Sequence, residues 1–484
     1  MVRYFFAFIF LVCSITVFCQ PSNLSYQKML EDFDSLQGNI QKYCAFVPVL
    51  EKRTGISVNK ELNKLKKQIR TETTVEEFAD LVRQGLNILN DGHTEIANSS
   101  MVKWWVTSQY NYLKEMGNVS LSDTLWADYY NSCTQDSVFT FSKSGIRAKY
   151  INGKYYNARP FTYNGIPVQL GEEITAIDGE NIHAFIQKHY SQMYYLKWDN
   201  ENKRFYSDLF MLALPVIGKK QYILTIGGKE VEIDSEKMMA DLQKEKYRLP
   251  NRPQVKVIED SVLYIRMPMM SYANWYIKKI GEAYTPGVKK IVFDVRNNPG
   301  GDDNVWKRIL SSIIAEPFEY TYAVGMNYDE RLKNCVSGFG DIKVENGQIT
   351  IHQKRTIEPD SAGLHFSGKL YLIQDGTTYS AAAAFAAAAM QNRDKITVVG
   401  QPSILISGYT FPAITFSLPH SRLVYRLAFS YDLTGGPENP YMDKVHIIIK
   451  DSIKDYLSKL YDYDSSVIDE FIKKDAAAKY VISR

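Results

Sequence analysis

The chain has 484 residues, 45% hydrophobic and 23% charged, which is enough for two or three domains with cores of their own. Lys and Arg together number 57 against 54 Asp and Glu, so the net charge is only +3, and the lysines are spread along the chain. This balance excludes the basic patch that nucleic acid or an anionic membrane would require and leaves a neutral or peptide-like partner.

The first element is a leader. Met1, Val2 and Arg3 precede an apolar run over residues 4–18, a short positive region followed by a hydrophobic segment of signal-peptide length. The run falls short of the roughly 20 apolar residues that span a bilayer. Residues 1–19 are therefore read as a signal peptide, with the mature chain starting near Gln20 and exported to the periplasm or the cell exterior. Lipid anchoring at Cys19 is the less favoured reading, because the bulky Phe18 precedes it. No later stretch is long and apolar enough to cross a membrane. Of five cysteines, Cys13 and Cys19 lie in the leader. Cys44, Cys133 and Cys335 are too few and too widely spaced for a disulfide framework or a zinc site, although one bridge among them stays open.

Residues 20–138 form the next unit, helical from 24 to 90. Its clearest helix starts at Thr74, where Thr74 and Glu77 make a capping box and Phe78, Leu81, Val82, Leu86 and Leu89 recur at helical spacing. The helix is expected to stop at Asp91 and Gly92, with Gly92 in the left-handed conformation and His93 emerging just after it. Trp104, Trp105, Tyr110, Tyr112, Tyr129 and Tyr130 read as core and groove-lining aromatics. Residues 139–234 change to short β-like runs with glycine turns. Within them the stretch from Gly165 through Leu170-Gly171-Glu172-Glu173-Ile174 to Ile177-Asp178-Gly179 resembles the core motif of PDZ domains, which bind an extended peptide as an added strand.

From residue 253 to 484 strands and helices alternate: strand 262–267, helix 273–284, strand 290–296, helix 304–314, strand 369–373, an Ala-rich helix over 380–391 and strand 396–400. This is the pattern of an α/β domain built from βαβ units, whose ligand sites lie at the C-terminal ends of the strands. Two loops stand there. The first, Asp294-Val295-Arg296-Asn297-Asn298-Pro299-Gly300-Gly301, runs from a strand into paired glycines that can turn sharply and present N–H groups to an oxygen. The second, Gln374-Asp375-Gly376-Thr377-Thr378-Tyr379-Ser380-Ala381-Ala382, leaves a strand and opens a helix with a serine at its N-terminus, where the helix dipole favours negative charge. Taken singly, a Gly-Gly pair is more often a plain turn and a serine there an ordinary N-cap.

Together the two loops resemble those of the tail-specific (C-terminal processing) and tricorn-core serine peptidases. The resemblance implies an α/β, multidomain architecture: a helical N-terminal region, a PDZ-like β-rich domain and a βαβ, crotonase-like peptidase core. It implies Ser380 as nucleophile and the amides of Gly300, Gly301 and Ala381 as an oxyanion hole. The base differs between branches of the family, a lysine about one strand after the serine or a histidine from before the PDZ-like domain. No lysine lies between Lys395 and Lys444, whereas Asp91-Gly92-His93-Thr94 is similar to the Asp-x-His-Thr element of the histidine branch, which makes His93 the base. Glu438 stands where that branch has a glutamate backing the histidine. Gly92 replaces the serine that precedes the histidine there, and Ala383 replaces a glutamate three residues after the nucleophile. The implied activity is hydrolysis of peptide bonds in peptide or unfolded protein substrates, with no cofactor and no metal. The alternative is a relative of the same fold that binds peptides or ligands without turnover. An α/β-hydrolase esterase lacks support, since no Gly-x-Ser-x-Gly surrounds Ser380.

Overall fold

The computed structural model describes residues 24–109, 111–139, 146–193, 196–208, 214, 218–234, 250–403, 411–436, 441–450, 453–454, 456–457 and 468–484. The expected leader lies outside these residues, as does Glu438.

Among the described residues four helices come first: Tyr26–Tyr43, Val47–Thr54, Val58–Lys66 and Val75–Asn87. The Thr74 hydroxyl accepts the Glu77 N–H at 3.2 Å while the Glu77 carboxylate accepts the Thr74 N–H at 2.8 Å, so the capping box forms and fixes where the fourth helix begins. Its Phe78, Leu81, Val82 and Leu86 are buried. Its end differs from expectation. The residue with positive φ is Asn90, at 48°, and Gly92 is not among the left-handed positions. Asparagine tolerates that region because its short polar side chain bonds locally, so the turn did not need the glycine. Gly92 answers to a packing constraint described below.

Residues 148–234 contribute an antiparallel sheet in the order Lys229–Asp234, Gln221–Ile226, Glu173–Ile177, Lys154–Asn157, Ala148–Ile151. Glu173–Ile177 turns through Asp178 and Gly179, both at positive φ, into Glu180–Asn181, the two-residue hairpin that an Asp-Gly pair favours. The helix Ile182–Lys188 follows, with Phe185 and Ile186 buried.

The C-terminal part is an α/β unit around a six-stranded sheet in the order Gln254–Ile258, Val262–Arg266, Lys290–Asp294, Lys369–Gln374, Ile396–Gly400, Ile447–Ile448. Its strands run parallel except the antiparallel edge strand Gln254–Ile258. The helices Ala273–Ala283, Asp303–Ser311 and Ala381–Met390 occupy the expected connections and differ from expectation only at their ends. The last is buried almost throughout; Phe385 stacks on Trp306 at 5.0 Å and meets Phe293 edge-on at 5.3 Å. Small side chains let this helix lie close to the sheet, which is what its alanines are for.

Two further sheets were not visible in the sequence pattern. A four-stranded antiparallel sheet pairs the long strands Phe318–Asn327 and Gln348–Ile357, flanked by Asp341–Glu345 and Ser430–Asp432. A three-stranded sheet sets Glu95–Ile96 against Val424–Leu427, which in turn pairs with Ile414–Ser417. That pairing ties the residues just after His93 to the far end of the α/β unit. Cys44, Cys133 and Cys335 are all free thiols.

Candidate active site

The two loops picked out in the sequence lie side by side at the C-terminal ends of adjacent parallel strands, Lys290–Asp294 and Lys369–Gln374. Backbone and side-chain bonds join them. The Tyr379 N–H donates to the Asn298 carbonyl at 2.9 Å, the Thr378 hydroxyl to the Val295 carbonyl at 3.1 Å, and the Asn297 N–H to the Asp375 carboxylate at 3.1 Å. The first loop is also pinned from below. Arg296 donates to Asp294 through Nε at 3.0 Å and Nη2 at 2.7 Å, and to Asp475 through Nη1 at 2.8 Å, while Tyr264 also donates to Asp294. All four groups are buried, and Arg296 and Arg266 hold the Asp294 pKa down at about 2 against the burial that would raise it.

Ser380 caps the Ala381–Met390 helix without a capping hydrogen bond from its side chain, at φ 50° and ψ −125°. A residue with a Cβ rarely holds that conformation, and it occurs at sites where the surroundings over-determine it. Gly300 faces it so closely that a Cβ there would sit 2.5 Å from the Ser380 Cβ and 3.1 Å from both the serine Oγ and the Ala381 nitrogen. Glycine is therefore required at position 300. Its N–H, however, is already given to Asn298 Oδ1 at 2.8 Å, so Gly300 contributes space beside Ser380 rather than a free donor, contrary to the expectation for that residue. The N–H groups of Gly301 and Ala381 have no acceptor among the described residues. Met270 braces the glycine pair, its N–H on the Gly300 carbonyl at 2.8 Å and its carbonyl accepting from Asp302 at 2.9 Å.

His93 reaches this place from the N-terminal region. Its ring stacks on Tyr379 with centroids 4.6 Å apart, and its Nδ1 lies 2.7 Å from the Tyr379 hydroxyl. It is thus brought against the residue next to Ser380, although Ser380 and His93 share no hydrogen bond in this structure. Burial pushes the His93 pKa below its ordinary value; Asp91 and Glu95 oppose the shift and Arg426 adds to it. Asp91 Oδ1 accepts the His93 N–H at 2.8 Å and the Thr94 hydroxyl at 3.2 Å, and Thr94 in turn accepts the Ala428 N–H at 3.0 Å. Lys395 is remote from this chemistry, donating to the Pro317 carbonyl at 2.5 Å on the surface. The groups that sequence reasoning missed are Tyr379 and Asp91. Both stood inside quoted motifs, yet no local pattern announces a bond between residues so far apart in the chain.

Residues 261–414 match the sequence model of Peptidase family S41. The chain is a serine-type peptidase, similar over these residues to that family. The S41 match takes in both loops and Ser380, and stops short of His93 on one side and Glu438 on the other. No curated protein sequence matches the chain. Among solved structures, mature CPAF is similar over 94% of this chain and 99% of its own, with a TM-score of 0.57 at 12% identity. Mature CPAF complexed with lactacystin gives 0.55 over 94% and 100%, also at 12% identity. The photosystem II D1 C-terminal processing protease is 12% identical, with a TM-score of 0.39 over 91% and 98% of the two chains. At such identity the CPAF likeness speaks for the fold alone, over nearly the whole chain. Among the described residues no helix is long and apolar enough to cross a membrane.

Proposed function

We propose that this peptidase cleaves peptide bonds through Ser380 as nucleophile and His93 as general base, in an exported protein acting on peptide or unfolded protein substrates. The observation that carries the reading is the conformation of Ser380. A serine held at φ 50° at the start of a buried helix, against a glycine whose missing Cβ makes room for its side chain, is a sharp strand-to-helix turn of the kind that presents a nucleophile. The hydroxyl attacks the scissile carbonyl, His93 takes its proton and returns it to the leaving amine, and the open amides of Gly301 and Ala381 face the developing oxyanion. Glu438 belongs to the proposal as a group backing His93, on the strength of its sequence position alone. The antiparallel sheet of residues 148–234 is proposed as a PDZ-like module beside the catalytic unit.

Labelling with a fluorophosphonate, followed by mapping of the modified residue, tests the proposal. Modification at Ser380, and none in Ser380→Ala, is expected; labelling at another serine would overturn the assignment. Lactacystin, bound to mature CPAF in one solved structure, is a second probe, expected to compete with that labelling.

A further inference from the structure

We propose that Tyr379 is a positioning residue for His93: its hydroxyl bridges the imidazole to the Asp91 carboxylate and thereby selects the tautomer whose Nε2 can accept a proton. This rests on the reading of His93 as the base. The Tyr379 hydroxyl stands 2.7 Å from His93 Nδ1 and 3.3 Å from Asp91 Oδ2. Asp91 Oδ1 is already engaged by the His93 N–H and the Thr94 hydroxyl, so Oδ2 is the oxygen turned to the tyrosine.

The direction of the bonds follows from donor arithmetic. A phenol has one proton to give, and a carboxylate can only accept. With the phenol proton on Asp91 Oδ2, the hydroxyl oxygen is left as an acceptor, and the partner 2.7 Å away must be an Nδ1–H. An imidazole protonated at Nδ1 carries its lone pair on Nε2. When the Ser380 proton arrives at Nε2, the imidazolium keeps its Nδ1–H on the tyrosine oxygen, and the phenol and carboxylate keep their own protonation states. No proton passes along the bridge; its work is orientation and stabilisation of the positive ring, the part an acid plays in other hydrolytic triads.

Gly92 supplies independent support. A Cβ at that position would lie 3.1 Å from Tyr379 Cε1, Cζ and Oη alike. The glycine is not used for a left-handed turn, since Asn90 makes that turn. What the missing side chain permits is the seating of the tyrosine ring against the histidine loop. The groups that face His93 are Asp91, Glu95, Arg426 and Tyr379, so the hydroxyl is the one whose removal leaves the surrounding charges in place.

The test is Tyr379→Phe, which keeps the stacked ring and deletes the bridge. We expect kcat to fall about 10²-fold with KM nearly unchanged, as for a small misplacement of a catalytic group. The acid limb of the rate profile should also move to lower pH, because the imidazolium loses its link to Asp91. Gly92→Ala, which crowds the ring, should lower kcat in the native chain and add little in the Tyr379→Phe background. Nitrogen NMR of the ring should show a protonated Nδ1 and a bare Nε2 in the native protein, and mixed tautomers in Tyr379→Phe. Native kcat in Tyr379→Phe, or a native tautomer protonated at Nε2, would overturn the inference. If His93→Ala instead keeps activity, it is the assignment of the base that falls, whatever Tyr379→Phe shows.

Discussion

Ser380 is held in a conformation that costs about 1–3 kcal/mol for a residue with a Cβ, and the bonds of Thr378 and Tyr379 to the neighbouring loop keep it there. Removing the hydroxyl alone leaves that strain in place, whereas removing the Cβ relieves it. Ser380→Gly should therefore be more stable than Ser380→Ala by about 1 kcal/mol in urea unfolding, with both variants inactive. Equal stability would mean that the surroundings do not strain the turn. His93 makes a second residue-scale prediction. Only its neutral form can accept the serine proton, and burial lowers its pKa, so the neutral form persists further into acid than for a free histidine. Activity should fall on acidification with a midpoint below the unperturbed ~6.5. A midpoint above that value in the kcat/KM profile would point to a different base.

At the scale of elements, the Asp-x-Arg part of the first loop is a foundation for the site. Arg296 spans Asp294, at the end of one strand, and Asp475, which caps the helix Ala476–Ser483 and so fastens that helix to the catalytic loop. Arg296→Met would take from two buried carboxylates the guanidinium that joins them, leaving Asp294 with Tyr264 and Arg266, and a loss of about 3 kcal/mol is expected. The pH dependence has a definite sign. The folded pKa of Asp294, about 2, lies below the unfolded value of ~3.9. Its contribution is therefore present above ~3.9 and disappears as pH falls towards 2. Thermal unfolding of the native chain should show that decline, and Arg296→Met should flatten it.

The same elements show what a sequence discloses. Signals that act over a few residues were readable: the Thr74–Glu77 box, the βαβ alternation and the two loops at the strand ends, whereas the close approach of Gly300 to Ser380 is a tertiary fact. Contacts between distant segments were not, because nothing local encodes them. The pairing of Phe318–Asn327 with Gln348–Ile357 and the meeting of Tyr379 with His93 both depend on the folded arrangement. Gly92 is the instructive intermediate case. The sequence marks a glycine at a helix end, where a turn is the ordinary explanation, and only the tertiary packing of Tyr379 reveals the other reason for it.

Across the whole molecule, the proposed base and nucleophile come from regions nearly three hundred residues apart, so their alignment depends on how the N-terminal region is fastened to the α/β unit. Bonds from Asp32, Ala45 and Arg53 to residues of the C-terminal part share in the fastening, and one short piece of it lies beside His93. Glu95–Ile96 pairs with Tyr425 and Arg426, Arg426 makes an ion pair with Glu95, and the Ala97 N–H donates to the Val424 carbonyl at 2.9 Å. Immediately beside His93, buried Thr94 links both sides, accepting from the Ala428 N–H and donating to Asp91. Thr94→Val keeps the shape and deletes both bonds, leaving a buried N–H without its acceptor at a cost of about 1–3 kcal/mol. Asp91 would lose one of its anchors at the same time, so kcat should fall. Ser380, held by its own loops, should still react with a fluorophosphonate, though more slowly once its base is displaced. If Thr94→Val is destabilised but keeps native kcat, the fastening serves stability alone, and His93 must be aligned by Tyr379 and Asp91 without help from the sheet.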